Sequence, residues 1–251
     1  SRPNQFAGIV TETPTNPLIQ SMDLERIREL ATKHGVCLIL DPTINSPANV
    51  DISPYADIIV NSLTKYASSE GDVIMGAVCT TQQCPERDAI TQRIRAIVEP
   101  PYARNLQRLA EQIDRYLPLI ESINTSTIQV VEYLKSHPKV TKVYWSKEAR
   151  SKANYERIAR TPESIGGMIS FVLNTDLATF YDRLLLAKGP SFGMTQTLAC
   201  PFMYLAHYDL ISAEAGRAYL QQAGIDSELI RFSIGGEPVA EIIEALDYAL
   251  A

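Results

Sequence analysis

Lys65 lies in the run Asn61-Ser62-Leu63-Thr64-Lys65-Tyr66, which follows a short apolar stretch, and offers a primary amine able to form an imine with an aldehyde. Two earlier apolar stretches also end in groups that could do chemistry. One closes in Thr11-Glu12-Thr13-Pro14-Thr15-Asn16-Pro17 and the other in Asp41-Pro42-Thr43. Singly, each has an ordinary reading: a turn, a cap or a solvated loop. Together, in this order and each after an apolar run, they gather an amine, a carboxylate, hydroxyls and a side-chain amide. In an open parallel sheet such groups converge, because ligands collect at the carboxyl ends of the strands.

The elements that must position them alternate in the first half of the chain. Phe6 to Thr11 reads as a strand, and Asp23 caps a helix running to about His34, with Gly35 as its stop. Val36 to Leu40, Ala56 to Val60 and Val73 to Cys79 are further strand runs, apolar enough for a parallel sheet covered on both faces. Pro85 to His137 is helical in pattern, with breaks predicted around Pro100-Pro101 and Asn124-Thr125-Ser126. Strands at Val140 to Trp145, Met168 to Leu173 and Leu229 to Ile234 then alternate with helices at Asp176 to Ala187, Ala213 to Ala223 and Pro238 to Leu250. The fold class is α/β. Residues 1–125 read as part of a large, mostly parallel sheet domain with a long connecting helix, and residues 126–251 as a smaller C-terminal α/β domain.

Composition narrows the function classes. At 251 residues the chain can bury a sizeable core, and its net charge of −6 with no basic face argues against nucleic acid. Cys37, Cys79, Cys84 and Cys200 lack paired spacing and read as reduced core residues. No histidine completes a metal set with them, so no metal is expected. No apolar run reaches the roughly 20 residues of a membrane span, which makes the cytoplasm the default compartment. Ser1 is not an initiator methionine and a strand-like run starts almost at once, so the chain is expected to open in mid-fold.

Pyridoxal 5′-phosphate is the coenzyme whose needs explain the set: a lysine amine, a carboxylate against its pyridine nitrogen, and hydroxyls for its phosphate. Lys65, Asp41, and Ser62 with Thr64 supply these. Here the chain resembles the Cys/Met-metabolism pyridoxal-phosphate enzymes, a family with cystathionine gamma-synthases and gamma-lyases, methionine gamma-lyases and homoserine sulfhydrylases. Besides the three strand ends, the resemblance takes in Gly166-Gly167-Met168-Ile169-Ser170-Phe171 and Leu229-Ile230-Arg231-Phe232-Ser233-Ile234-Gly235. It implies the aspartate-aminotransferase-like fold, with Lys65 holding the coenzyme and Asp41 opposite its ring nitrogen. It further implies Ser62 and Thr64 at the phosphate, Asn16 near the phenolic oxygen and the substrate, and Thr43 near the ring. Arg231 matches the arginine that grips the substrate carboxylate, and Ser191 the loop serine that assists it. Tyr66 reads as packing.

What the resemblance implies for function is γ-replacement or γ-elimination on a sulfur-containing or O-acylhomoserine amino acid, by a homodimer or homotetramer. A methionine gamma-lyase-type enzyme is the alternative, an aminotransferase or cysteine desulfurase the rival of the same fold, and a non-catalytic scaffold the reading of another class. Several positions depart from the family pattern. Asp41-Pro42-Thr43-Ile44 replaces a common Asp-Asn-Thr-Phe, and Tyr66-Ala67-Ser68-Ser69-Glu70-Gly71-Asp72 replaces a glycine-rich stretch. Pro190 stands where cystathionine-handling members often carry a glutamate. The family's N-terminal phosphate turn and ring-stacking tyrosine have no counterpart in these residues, so an open site and weakened coenzyme affinity are expected.

Overall fold

A computed structural model describes residues 6–251. The expectation that the chain opens in mid-fold concerns Ser1 and its neighbours, which lie outside the described residues. Two sheets organise the rest. The first has four strands in the order β1 (Gly8–Glu12), β2 (Cys37–Asp41), β3 (Ile58–Ser62) and β4 (Gly76–Thr80). β1, β2 and β3 run parallel, and the register sets Glu12 directly beside Asp41 at the carboxyl ends. Between β1 and β2 lies α1 (Leu24–His34), where Asp23 accepts from Arg26 N and Gly35 ends the helix in the left-handed region, as its sequence predicts.

β4 corrects one expectation. It starts three residues later than Val73 and runs antiparallel to β3, pairing Gly76 with Ser62. The reason lies in the connection, which is a turn-rich loop without a crossover helix, and a parallel pair needs a crossover. On β4 Cys79 faces outward and is exposed, while Cys37 is half-buried and only Cys84 and Cys200 are buried; all four are free thiols.

Helices α2 (Arg87–Ile97), α3 (Ala103–Gln112) and α4 (Tyr116–Ser136) follow. The predicted break at Asn124-Thr125-Ser126 does not occur, because α4 runs straight through it. Thr125 bonds back to Glu121 O at 3.1 Å, a pattern helices tolerate, and the Asn124 amide finds tertiary partners. Among the described residues, no helix is long and apolar enough to cross a membrane.

The second sheet has the order β5-β6-β9-β8-β7. Its parts in chain order are β5 (Val140–Tyr144), α5 (Lys152–Ile158), β6 (Met168–Leu173), α6 (Leu177–Arg183), β7 (Ala187–Lys188), β8 (Leu198–Pro201), α7 (Phe202–Ala206), α8 (Tyr208–Ser212), α9 (Glu214–Ala223), β9 (Ile230–Ser233) and α10 (Val239–Leu250). The helix expected to reach Ala187 stops at Arg183, since Ala187 and Lys188 leave to pair with β8. β6 and β9 are buried along their whole length, and Phe171 packs edge-on against Phe180 and Phe232.

Core packing ties the two sheets together. Ile44 and Tyr66, from the loops after β2 and β3, belong to the same buried cluster as Ile123, Met168, Phe171 and Phe232. In return Tyr155 and Ile158 of α5 pack with α1 and β2. A buried polar knot reinforces this joint. Asn124 Oδ1 accepts from Ile165 N and Gly166 N, Asn124 Nδ2 donates to Asn49 Oδ1, and Asn45 Nδ2 donates to Tyr155 Oη and Ile165 O, all at 2.8–3.1 Å. Gly166 is required there: its φ is +80°, and a Cβ would lie 2.6 Å from Asn45 Cγ.

Candidate active site

Strand ends deliver the first half of the site. Asp41 ends β2, and its Oδ1 accepts from Thr43 N at 2.8 Å and from the Thr43 hydroxyl. The same hydroxyl receives Ser62 N–H at 2.9 Å and lies 3.3 Å from Asn61 Oδ1, so Thr43 joins the ends of β2 and β3. Among the described residues, Asp41 Oδ2 takes no hydrogen bond and no cation lies within ion-pair distance of Asp41. Thr64 is occupied locally: its hydroxyl donates to Met75 O at 3.3 Å and accepts Met75 N–H at 3.0 Å. The Ser62 hydroxyl has no such commitment among the described residues.

Lys65 follows in the turn after β3, half-buried, with Nζ donating to Ser191 Oγ at 3.0 Å. Burial, and then the nearby Arg231 charge, hold its amine below the usual lysine value. Tyr66 is 2% exposed and donates to Ile44 O at 3.0 Å, anchoring the residue beside Lys65 in the joint core.

The second sheet supplies Arg231 from β9, 3% exposed. Its guanidinium donates to Asn16 Oδ1 at 3.1 Å, to Pro190 O, and to Ser191 O at 3.4 Å. No carboxylate of the described residues lies within ion-pair distance of it. Burial pulls its pKa down, with Cys200, Tyr66 and Glu12 acting in the opposite direction. A buried cation without a counter-charge is unfavourable unless something else compensates it. Here two aromatic rings do part of this, with Cζ 4.9 Å from the Phe202 centroid and 5.7 Å from that of Phe192.

Asn16 bridges the halves. Its backbone N–H donates to Glu12 Oε1 at 2.7 Å, and its side-chain oxygen receives Arg231. Burial raises the Glu12 carboxyl, as does Asp41 beside it; the Asn16 N–H and Arg231 act the other way.

The structure thus brings Lys65, Ser191, Arg231 and Asn16 into one hydrogen-bonded group, and Asp41, Thr43 and Ser62 into a second. Glu12 lies between them, acted on by both Asp41 and Arg231. Sequence reasoning quotes Glu12 within its motif without a role, and misses Phe192 and Phe202. Glu12 had a signal, being the charged end of a strand beside a turn. The rings had none. The crevices along α4 and beneath α2 lie apart from these residues.

A family model described as Cys/Met metabolism PLP-dependent enzyme matches residues 3–251. The chain is 37% identical over 244 residues to an L-2-amino-4-chloropent-4-enoate dechlorinase/desaturase of Streptantibioticus cattleyicolor, covering 97% of this chain and 49% of the relative. It is 34% identical over 249 residues to a cystathionine gamma-synthase of Neurospora crassa, covering 98% and 39%. It thus spans half or less of the length of these curated relatives. Among solved structures, cystathionine gamma-lyase from Lactobacillus plantarum in complex with L-serine superposes with a TM-score of 0.84 at 27% identity, over 96% of this chain and 63% of that one.

Proposed function

The chain belongs to the Cys/Met-metabolism PLP-dependent enzymes, and from that premise we propose that these strand ends and the loop at 190–192 form a pyridoxal-phosphate site for transsulfuration. The reaction would be γ-replacement or γ-elimination on a sulfur-containing or O-acylhomoserine amino acid, in the manner of a cystathionine gamma-synthase. One observation carries this reading. A lysine amine and a buried arginine meet at Ser191, and neither has a carboxylate partner among the described residues.

Bound pyridoxal phosphate supplies an aldehyde for imine formation and a ring that withdraws electrons from the substrate. The donor set suits it. Asp41, steadied by Thr43, offers its unused oxygen to the ring nitrogen and favours the protonated form there. Ser62 has a free hydroxyl for phosphate, while Thr64 must turn its proton away from Met75 O to help. Lys65 would hold the coenzyme through its amine, and that amine, its pKa lowered by burial and by Arg231, would serve as the base toward the substrate Cα proton. Arg231 grips the substrate carboxylate with a planar, bidentate donor, and Asn16 and Ser191 orient it.

A second reading, a methionine gamma-lyase-type elimination, is favoured by the loop itself. Gly189 to Gln196 contains no acidic side chain, and the Pro190 carbonyl is turned to Arg231. A distal ammonium such as cystathionine's finds no carboxylate there. Assembly as a homodimer or homotetramer in the cytoplasm belongs to the same proposal.

Incubation with pyridoxal phosphate, borohydride reduction and peptide mapping test it. A pyridoxyl adduct on Lys65, absent from Lys65→Ala, is the expected result, followed by thiol or keto-acid release from O-acylhomoserine, cystathionine or methionine. Labelling spread over surface lysines would sink the assignment and leave the scaffold reading.

A further inference from the structure

Phe192 stands against both cations of the site. Its ring centroid lies 4.8 Å from Lys65 Nζ and 5.7 Å from Arg231 Cζ, and the residue is 8% exposed. Two positive charges held together repel, more strongly where water is partly excluded. An aromatic face carries negative potential and attracts a cation within about 6 Å of its centroid. One ring therefore offsets part of the repulsion felt by two charges.

The ring is itself fixed from both sides. Ser191 before it accepts from Lys65 Nζ and turns its carbonyl to Arg231. Gly193 after it donates to Ser233 Oγ at 2.9 Å, and lies so close to Tyr66 that a Cβ would sit 2.8 Å from Tyr66 N. Tyr66 meets the ring edge-on at 6.2 Å and 63°. The residue following Lys65 thus sets the ring against which the Lys65 amine rests.

We propose that Phe192 is a positioning residue that seats the Lys65 amine and the Arg231 guanidinium against one aromatic ring, holding the two at a fixed separation. This rests on the reading of Lys65 as the coenzyme-bearing amine and Arg231 as the carboxylate grip. Around them, Glu12 on β1, Cys200 on β8 and Tyr66 act on Arg231, Asp41 on β2 acts on Glu12, and Arg231 acts on Lys65. The ring stabilises the ammonium form of Lys65, so removing its quadrupole lowers the pH at which that amine loses its proton.

The test follows reductive methylation of Lys65 by formaldehyde and cyanoborohydride across pH in the full chain, read by peptide mass mapping and without coenzyme. Phe192→Leu keeps an apolar side chain and is expected to lower the midpoint by about half a pH unit, roughly threefold in the protonation equilibrium or ~0.7 kcal/mol. Pentafluorophenylalanine at 192 keeps the ring's shape and inverts its quadrupole; it should lower the midpoint at least as far. Phe192→Tyr should leave it in place. An unmoved midpoint in the fluorinated protein overturns the proposal, as does a Phe192→Tyr shift equal to that of Phe192→Leu, which would make the effect one of packing. Borohydride mapping with pyridoxal phosphate reports separately on the coenzyme site, so the two ideas fail independently.

Discussion

Arg231→Met separates what the buried guanidinium does for the fold from what it does for a ligand. The substitution removes the hydrogen bonds to Asn16 Oδ1 and Pro190 O and the longer one to Ser191 O. Bonds from a charged donor contribute roughly 1.5–3 kcal/mol each, so the two shorter ones amount to about 3–6 kcal/mol. Against this stands the desolvation of a cation that is 3% exposed with no carboxylate partner among the described residues, which costs several kcal/mol. Methionine keeps a side chain of similar length against Phe192 and Phe202. The two effects nearly cancel, and the expected change in stability is within about 1 kcal/mol, measured by urea unfolding. Ligand affinity has no such compensation. Losing two charge-assisted bonds to a carboxylate should weaken amino-acid binding by about a hundred- to ten-thousand-fold. Spectral titration of the coenzyme-loaded chain reads this, with the decarboxylated amine as control, whose affinity should hardly change. Destabilisation beyond about 3 kcal/mol, with the preference for amino acid over amine intact, would refute the reasoning by making Arg231 a structural residue.

Arg231→Met should also raise the pH at which Lys65 loses its proton, since the neighbouring positive charge depresses that amine; the methylation profile checks the direction. Thr43→Val deletes the hydroxyl that holds Asp41 and receives Ser62 N–H. Pyridoxal-phosphate affinity is expected to fall about tenfold, with recovery in Thr43→Ser, as an equilibrium titration would show. Gly166→Ala forces a side chain into the left-handed region and against Asn45. A loss of about 2–4 kcal/mol in urea unfolding is expected, and a loss below about 0.5 kcal/mol would contradict the close approach.

The strands that carry Glu12, Asp41 and Ser62 were legible because an apolar run ended each time in turn chemistry, and α1 because Asp23 and Gly35 mark its two ends. What stayed hidden depended on tertiary partners. Asn124, Thr125 and Ser126 read locally as helix breakers, yet the Asn124 amide is satisfied from Asn49 and the backbone at Ile165 and Gly166. β8 has four residues and ends in a proline, too short for any period to register, and is a strand because β9 lies beside it. Within the site, a lysine, an aspartate and an arginine announce themselves by type and motif. A phenylalanine facing a cation looks like any other apolar residue, so Phe192 and Phe202 gave no warning. Cys79 misled for a related reason: β4 is an edge strand with no buried residue, so an apolar run there does not mean a core position.

The asparagine knot decides how the two halves of the site are aligned. Greasy surfaces tolerate sliding by a fraction of a side chain with little change in energy, whereas hydrogen bonds of side-chain amides at 2.8–3.1 Å fail outside a narrow range of distance and angle. Lys65 and Asp41 hang from one sheet and Arg231 from the other, so any slip between sheets would be passed straight to the gap between these groups, which a ligand of the proposed site would bridge. Asn45, Asn49 and Asn124 work as a locating pin, giving that gap one width.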